Sequence, residues 1–286
     1  MAATWRGRVA IMGTALSMAA MLGPQTFAQG RPPDTSARAV VNKAAAFVKG
    51  YQEALKFVIA DEATVQEVFD TDGNRVARRE TSGDFFLAYV PADGGWLAVR
   101  DIVTVDGVPV QQRDNLRLLL SRGSFARIGR QIANRNARFN IGAIDRNFND
   151  PMLALVILGD KNRDRFRFSR RTVEQTPDGP VVSVAFTERD RPTLVRGSDG
   201  SDIFATGEMT IEATTGRLRQ TTITLKNDDT QASVTTVFVE HEILKLWLPR
   251  FLTERYEHTT SRLRELVVAE STYTNYRRFD VNVIIK

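Results

Sequence analysis

The chain has 286 residues, of which 42% are hydrophobic, and its formal net charge is +5 at pH 7. It contains no cysteine, which excludes disulfides, metal thiolates, a thiol nucleophile and the acylated cysteine of a lipoprotein. A charge this close to neutral does not predict a nucleic-acid partner, and a chain of this length can bury the core of one domain.

The first 28 residues have the pattern of a signal peptide. Arg6 and Arg8 form a basic head, the residues from there to Leu22 are apolar and uncharged, and Thr26-Phe27-Ala28 is a suitable cleavage site. The apolar run is short and rich in small residues, which disfavours a membrane span. We therefore expect the segment to be removed, and an uncleaved N-terminal anchor is the alternative.

The mature chain is expected to comprise residues 29–286 and to fold as a single domain, because no linker rich in serine, glycine or proline interrupts it. Loss of Arg6 and Arg8 lowers its net charge from +5 to +3. We predict a soluble protein of the periplasm or the exterior.

An amphipathic helix is predicted near the start of the mature chain. Thr35 or Ser36 can cap it, because a side-chain oxygen there accepts from the free amides of the first turn. The apolar positions then recur at spacings of three and four residues, which places them on one buried stripe: Val40, Ala44, Phe47, Val48, Tyr51 and Leu55.

Three strands should follow, at Phe57–Phe69, Arg78–Val90 and Trp96–Asp106. The second is apolar on both of its faces, which indicates a sheet that is covered on both sides. Arg100 and Asp101 are adjacent on the third strand and must point to opposite faces, so each needs its own partner. We interpret both as members of ion pairs rather than as catalytic groups.

Residues 113–139 are predicted to be helical and carry seven arginines but only one acid. One interpretation is a surface for anionic lipid or for an envelope protein, with Arg117, Arg127 and Arg130 in contact. The other is a solvated outer face. Farther on, Asp150 as cap, Pro151 in the first turn and Gly159 as stop predict a short, buried helix over Met152–Leu158.

The last third of the chain has the pattern of an antiparallel meander, after a predicted hairpin of Arg165–Val173 with Val181–Glu188 and a polar loop at Arg189–Ser201. We predict an α+β fold, in which a curved antiparallel sheet forms a half-barrel and helices pack on its concave face. The meander strands are expected at Ile203–Glu212, Arg217–Lys226, Thr230–His241, Arg262–Tyr273 and Phe279–Ile285, with a break at Trp247-Leu248-Pro249 and His258 in a loop.

The sequence contains no recognisable catalytic constellation. Its two histidines, His241 and His258, lie at no metal-binding spacing, and neither accompanies a serine in a strand-turn-helix pattern. No phosphate-binding glycine loop is present either. We predict no cofactor, no metal and no enzymatic activity. A hydrolase that uses two Asp or Glu carboxyls remains an alternative, because such residues can meet in space from distant positions.

The end of the chain resembles the half-barrel of periplasmic lipoprotein carriers of the LolA/LolB type. The resemblance rests on turn and packing signals: Ala213-Thr214-Thr215-Gly216, Leu246-Trp247-Leu248-Pro249, Glu254, Tyr256 and Thr272–Phe279. Other segments look more closely like a group of uncharacterised exported bacterial proteins: Arg100-Asp101, Val105–Val110, Asn140-Ile141-Gly142 and Tyr276–Phe279. The resemblance implies a layout and gives no ligand contact.

These patterns favour a protein that holds a lipid acyl chain or another hydrophobic small molecule between sheet and helices. An envelope scaffold that binds a protein partner or an anionic membrane surface is the second hypothesis. The residues that we expect to line the groove are apolar strand positions: Phe85, Leu87, Tyr89, Met209, Ile211, Ile223 and Leu225.

Overall fold

The computed structural model describes residues 32–55, 58–90, 95–111, 132, 134–144, 146, 150–197, 199–260 and 264–278, without the side chains of 52, 53, 88–90 and 95–97. Residues Pro33–Lys286 belong to one compact unit. None of the helices in the described ranges is long and apolar enough to cross a membrane.

Helix α1 spans Ala37–Ala54 and begins as the sequence predicts. The hydroxyl of Ser36 accepts from the amide of Ala39 at 3.3 Å, which satisfies a free donor of the first turn. The amide of Leu55 donates to the carbonyl of Tyr51 at the other end. The predicted stripe is buried, apart from the partly exposed Phe47.

Thirteen strands are found in the described residues. Their bounds are β1 Val58–Phe69, β2 Arg75–Val90, β3 Gly95–Val105, β4 Val108–Pro109, β5 Phe166–Thr176, β6 Gly179–Glu188, β7 Val195–Arg196, β8 Asp202–Ile203, β9 Ala205–Glu212, β10 Leu218–Lys226, β11 Thr230–His241, β12 Leu246–Thr259 and β13 Arg264–Arg278. A second helix, α2, spans only Leu153–Val156, and short 3-10 turns occupy Ala137–Phe139 and Arg163–Arg165.

Eleven of these strands form one open, curved antiparallel sheet in the order β4-β3-β2-β1-β13-β12-β11-β10-β9-β6-β5. Strands β1–β4 and β9–β13 are two meanders, and the pairing of β1 with β13, from Val58 opposite Arg278 to Phe69 opposite Leu266, joins them. Hairpin β5–β6 extends the sheet beyond β9. The predicted α+β class, with helices against a curved antiparallel sheet, is confirmed.

Two predictions about the last third differ from the structure. Trp247-Leu248-Pro249 does not break the chain but lies within β12, as does His258. The register between β11 and β12 shifts at this point: Val237 pairs with Phe251, whereas the next residue, Phe238, pairs with Pro249. Such a bulge tolerates a proline, which has no amide hydrogen to donate to the ladder. The predicted strand at residues 279–285 lies outside the described residues.

Helix α1 is fixed on the sheet by the turn between β9 and β10. The Lys43 ammonium donates to the carbonyl of Thr214 at 3.0 Å. Gly216 has a positive φ of 79°, and a Cβ built on it would lie 2.5 Å from the carbonyl oxygen of Lys43. Only glycine therefore allows the turn and the helix backbone to approach this closely.

Candidate functional site

The face of the sheet that contacts the helices, which we call the inner face, carries the predicted groove residues. Six of the seven lie in the main hydrophobic core and are at most 6% exposed: Phe85, Leu87, Met209, Ile211, Ile223 and Leu225. Tyr89 lies on β2, but its side chain is outside the description. The six come from β2 on one half of the sheet and from β9 and β10 on the other.

These six side chains share their core with α1 and with residues 150–158, which we call the cover segment. Helix α2 within this segment contacts both β3 and β10. The buried apolar residues of the segment fill the space above the strands: Met152, Ala154, Leu155, Ile157 and Leu158. The short helix predicted over Met152–Leu158 is therefore present only in part, since just Leu153–Val156 is helical.

Three hydrogen bonds hold the cover segment in place, and the one from Thr236 attaches it to the sheet. The Asp150 carboxylate accepts from the Met152 amide at 2.8 Å, and the Pro151 carbonyl accepts from the Thr236 hydroxyl at 3.0 Å. The Asn162 amide group donates to the carbonyl of Val156 at 3.1 Å. Burial raises the pKa of Asp150 to about 6, although the Met152 amide and the charge of Arg100 favour its ionised form.

A buried polar cluster, which sequence reasoning missed, adjoins the apolar wall. Arg100 donates to the carboxylate of Glu62 at 2.8 Å and to the hydroxyl of Tyr273 at 3.1 Å. Its guanidinium carbon lies 5.4 Å from the centre of the Phe85 ring. Arg100 and Asp101 do take separate partners as predicted, since Asp101 lies 3.9 Å from Arg135.

The cluster continues along the inner face to Glu254, whose carboxylate accepts from the Tyr256 hydroxyl at 2.8 Å. Burial raises the pKa of Glu254, against the charges of Arg100 and Arg146. Arg146 donates to the side chain of Gln66, and its guanidinium carbon lies 5.6 Å from the Tyr256 ring centre. The alternation of side chains along β1 places Glu62 and Gln66 on the same face as the buried Val58 and Ala60. This alternation was the sequence signal from which the burial of Glu62 and Gln66 could have been predicted.

Each carboxylate of this cluster already binds a donor of the protein, so the arrangement serves to hold side chains in place. Within the described ranges, no group of three or more His, Asp or Glu residues is arranged to hold a metal ion. The two histidines make ordinary contacts: His258 bonds to the Thr230 hydroxyl at 2.9 Å, and His241 accepts from the Leu244 amide at 3.2 Å. The predicted surface residues Arg117, Arg127 and Arg130 lie outside the described residues.

A surface cleft of about 320 Å³ separates α1 from the β11–β12 hairpin. We call it the α1 cleft, and the sequence analysis did not predict it. A signal for it was the spacing of four residues between Ala46, Gly50 and Ala54, which puts small residues on one side of α1. The lining residues are Ala46, Phe47, Gly50, Tyr51, Ala54, Arg217, Glu240, Lys245, Leu246 and Trp247.

Comparison with solved structures finds chains of similar layout. A putative outer membrane lipoprotein-sorting protein domain from Vibrio parahaemolyticus is 11% identical, with a TM-score of 0.42 over 83% of this chain and 91% of the other. A DUF1329 family protein from Desulfovibrio piger is 10% identical, with a TM-score of 0.38 over 87% of this chain and 95% of the other. The first is, by name, of the lipoprotein-sorting class that the sequence resembles.

A complex of MucA and MucB from Pseudomonas aeruginosa is also similar, at 11% identity, with a TM-score of 0.19 over 83% of this chain and 99% of the other. No protein-family model and no curated protein matches the chain. At these identities and TM-scores, the likenesses carry no argument about function.

Proposed function

We propose that this chain is a non-catalytic exported protein that holds the acyl chain of a lipid, or another hydrophobic ligand, between its sheet and its helices. One observation carries the proposal. Apolar side chains from both halves of the inner face meet under a cover segment that contains a single turn of helix. The ligand would contact the predicted wall: Phe85, Leu87, Tyr89, Met209, Ile211, Ile223 and Leu225.

Admitting such a ligand exchanges one apolar occupant of the wall for another, and the displaced side chains lose their own burial. Full burial of a side chain such as Leu155 or Ile157 is worth about 1.5–3 kcal/mol. A hydrophobic ligand that takes the place of these side chains restores the burial of the wall. A single helical turn has little stability of its own, so displacement of the segment loses little helix, and it breaks the hydrogen bond from Thr236 to the Pro151 carbonyl.

The polar cluster would give the bound ligand an orientation. Arg100 lies beside Phe85, at the boundary between the apolar wall and the charged part of the inner face. A ligand with an apolar tail and a polar end would place its tail on the wall and its polar end toward this boundary. The carboxylates of the cluster are bound to protein donors, which supports a binding role over hydrolysis.

The direct test is to purify the mature chain from cells that contain membranes, extract it with organic solvent and identify lipids by mass spectrometry. We expect one class of acyl lipid in near-stoichiometric amount. An extract without lipid, from protein that also fails to take up N-phenyl-1-naphthylamine, a neutral apolar probe, would refute the proposal.

Locking the cover segment supplies a sharper test. The chain has no cysteine, and the Pro151 carbonyl lies 3.0 Å from the Thr236 hydroxyl. Pro151→Cys combined with Thr236→Cys places a thiol on each side of this contact, and the mass of the chain under non-reducing conditions checks that the disulfide which holds the segment on the sheet has formed. We expect the oxidised variant to lose uptake of the neutral probe and the reduced variant to regain it. Equal uptake by both forms would show that the probe binds without displacement of the segment, against the proposal.

A further inference from the structure

We infer that the α1 cleft is a second ligand site, which takes a small amphiphile with one apolar tail and an anionic head. The cleft lies between α1 and the β11–β12 hairpin, whereas the wall residues of the proposed carrier site lie in the core. It is open in the structure as it stands, so binding there requires no displacement of the cover segment. The inference is therefore independent of the proposed function.

The floor of the cleft is a strip of helix surface without bulky side chains. Ala46 and Gly50 are exposed, and Ala54 is partly exposed. A Cβ built on Gly50 meets no other atom within 4 Å, so the space above this residue belongs to the cleft and not to a packed neighbour. An extended alkyl tail can lie directly against the helix backbone at this point.

Aromatic side chains form the walls. The rings of Phe47 and Tyr51 stack with centres 5.7 Å apart and planes at 19°. Trp247 on β12 is fixed at both its backbone and its ring, because the Tyr51 hydroxyl donates to its carbonyl and its indole nitrogen donates to the carbonyl of Leu218. Rigid aromatic surfaces provide apolar contact area at little entropic cost.

The rim of the cleft is positively charged. Arg217 lies 5.2 Å from the Trp247 ring centre and forms an ion pair of 3.3 Å with Glu240, which offsets one positive charge. Lys245 is exposed at the hairpin turn and has no ion-pair partner in the described part of the chain. One positive charge above an apolar trough favours an anionic head over a neutral or cationic one.

The size of the cleft limits the occupant. Its volume of about 320 Å³ is at the lower end of the range of ligand pockets, roughly 300–1,000 Å³. The cleft therefore accommodates one tail and not a lipid with two or three. The head can be a carboxylate or a phosphate monoester, since both present oxygens to an ammonium or guanidinium group.

Gly50 offers a test that leaves the core intact. Calorimetric titration of the mature chain with dodecanoate and with dodecyl phosphate, below their micellar concentrations, compares the two head groups, and dodecyltrimethylammonium is the charge control. Gly50→Leu places a branched side chain in the trough, at a position where a Cβ meets no atom within 4 Å, whereas Gly50→Ala adds only one methyl group and favours the helix. We expect binding of the anions to fall at least about tenfold in Gly50→Leu and to change less than about twofold in Gly50→Ala.

Lys245→Gln should weaken both anions by about twofold to fivefold, as expected for one exposed charge pair. Equal binding of the cationic amphiphile, or unchanged binding by Gly50→Leu, would overturn the inference. The oxidised Pro151→Cys, Thr236→Cys variant separates the two sites, since it should lose the neutral probe and retain dodecanoate. If it loses both, the anion binds in the core and not in the α1 cleft.

Discussion

The pair of Glu62 and Arg100 shows what a single interaction contributes on the inner face. Its side chains are only 7% and 13% exposed, and the guanidinium is also bonded to the Tyr273 hydroxyl. Two buried opposite charges compensate each other's loss of hydration, but either one alone does not. The pair therefore matters less for its net energy than for what happens when one member is removed.

Arg100→Met should lower the free energy of unfolding by about 3–5 kcal/mol, because Glu62 is left as an unpaired buried charge. Urea denaturation measures the loss. Combining it with Glu62→Leu should recover most of the stability. The matched control is Arg75→Gln, which breaks an exposed pair with Glu67 and should cost less than about 1 kcal/mol. Similar losses at both sites would contradict the assignment of a buried pair.

The sequence could predict only part of this cluster. The alternation of side chains along a strand placed Arg100 and Asp101 on opposite faces, and the structure confirms their separate partners. The partner of Arg100 is 38 positions away in the chain and lies across β2, opposite Gly83. The register of two successive hairpins determines this proximity, and composition does not reveal a register.

At the scale of elements, the cover segment combines a strong sequence signal with a weak helix. Asp150 and Pro151 mark its start, and five of the seven apolar residues over Met152–Leu158 are buried as predicted, whereas Leu153 and Val156 are partly exposed. In this arrangement the Asp150 carboxyl group has restricted access to water, and burial raises its pKa to about 6. Ionisation of Asp150 therefore opposes the buried position of its carboxyl group.

The raised pKa of Asp150 makes the stability of the folded chain depend on pH. The pKa of Asp150 rises from 3.8 to about 6 on folding, so its contribution to stability falls as pH rises from 4 to 6 and then stays constant. Asp150→Asn keeps an acceptor for the Met152 amide but does not titrate. We expect the stability of the wild type relative to this variant to fall by about 2–3 kcal/mol between pH 4 and pH 7, measured by thermal unfolding.

Other carboxyls are common to both proteins and cancel in this comparison. A difference that does not vary with pH would show that Asp150 has an ordinary pKa in the folded chain.

Element boundaries were predictable where local chemistry decides them. The structure confirms the predicted helix cap at Ser36 and the predicted turn at Ala213–Gly216. The continuity of strand β12 could not be predicted, because Pro249 by itself indicates an interruption of the strand. The bulge opposite Val237 and Phe238 accommodates the proline, and that bulge exists only when the neighbouring strand is present.

For the whole molecule, the sequence predicted the strands that follow one another and missed the pairings that close the fold. Short turns bring successive strands together, so the meanders could be inferred from local signals. The pairing of β1 with β13 joins residues more than 190 positions apart, and β6 pairs with β9 across a long loop. Neither of these strand pairings can be predicted from composition or from the periodicity of the sequence.

Export of the whole chain is a proposal that one measurement decides. We expect the protein recovered from the periplasm or the medium to begin at Gln29, since Thr26-Phe27-Ala28 precedes the predicted cleavage point. Intact mass and N-terminal sequencing provide the readout. Ala28→Arg should block processing at this position, whereas Ala19→Ser, inside the apolar run, should not. An unprocessed wild-type chain in the cytoplasmic membrane would contradict cleavage.

The β5 end of the open sheet has a consequence for contacts between copies of the chain. At one end β5 is exposed along most of its length, with a register shift between Arg170 and Val173, and at the other β4 has only two residues. On β5, the like charges of Arg167, Arg170 and Arg171 and the interrupted ladder disfavour pairing with an incoming chain. Strand β5 is therefore a poor template for the addition of a second copy.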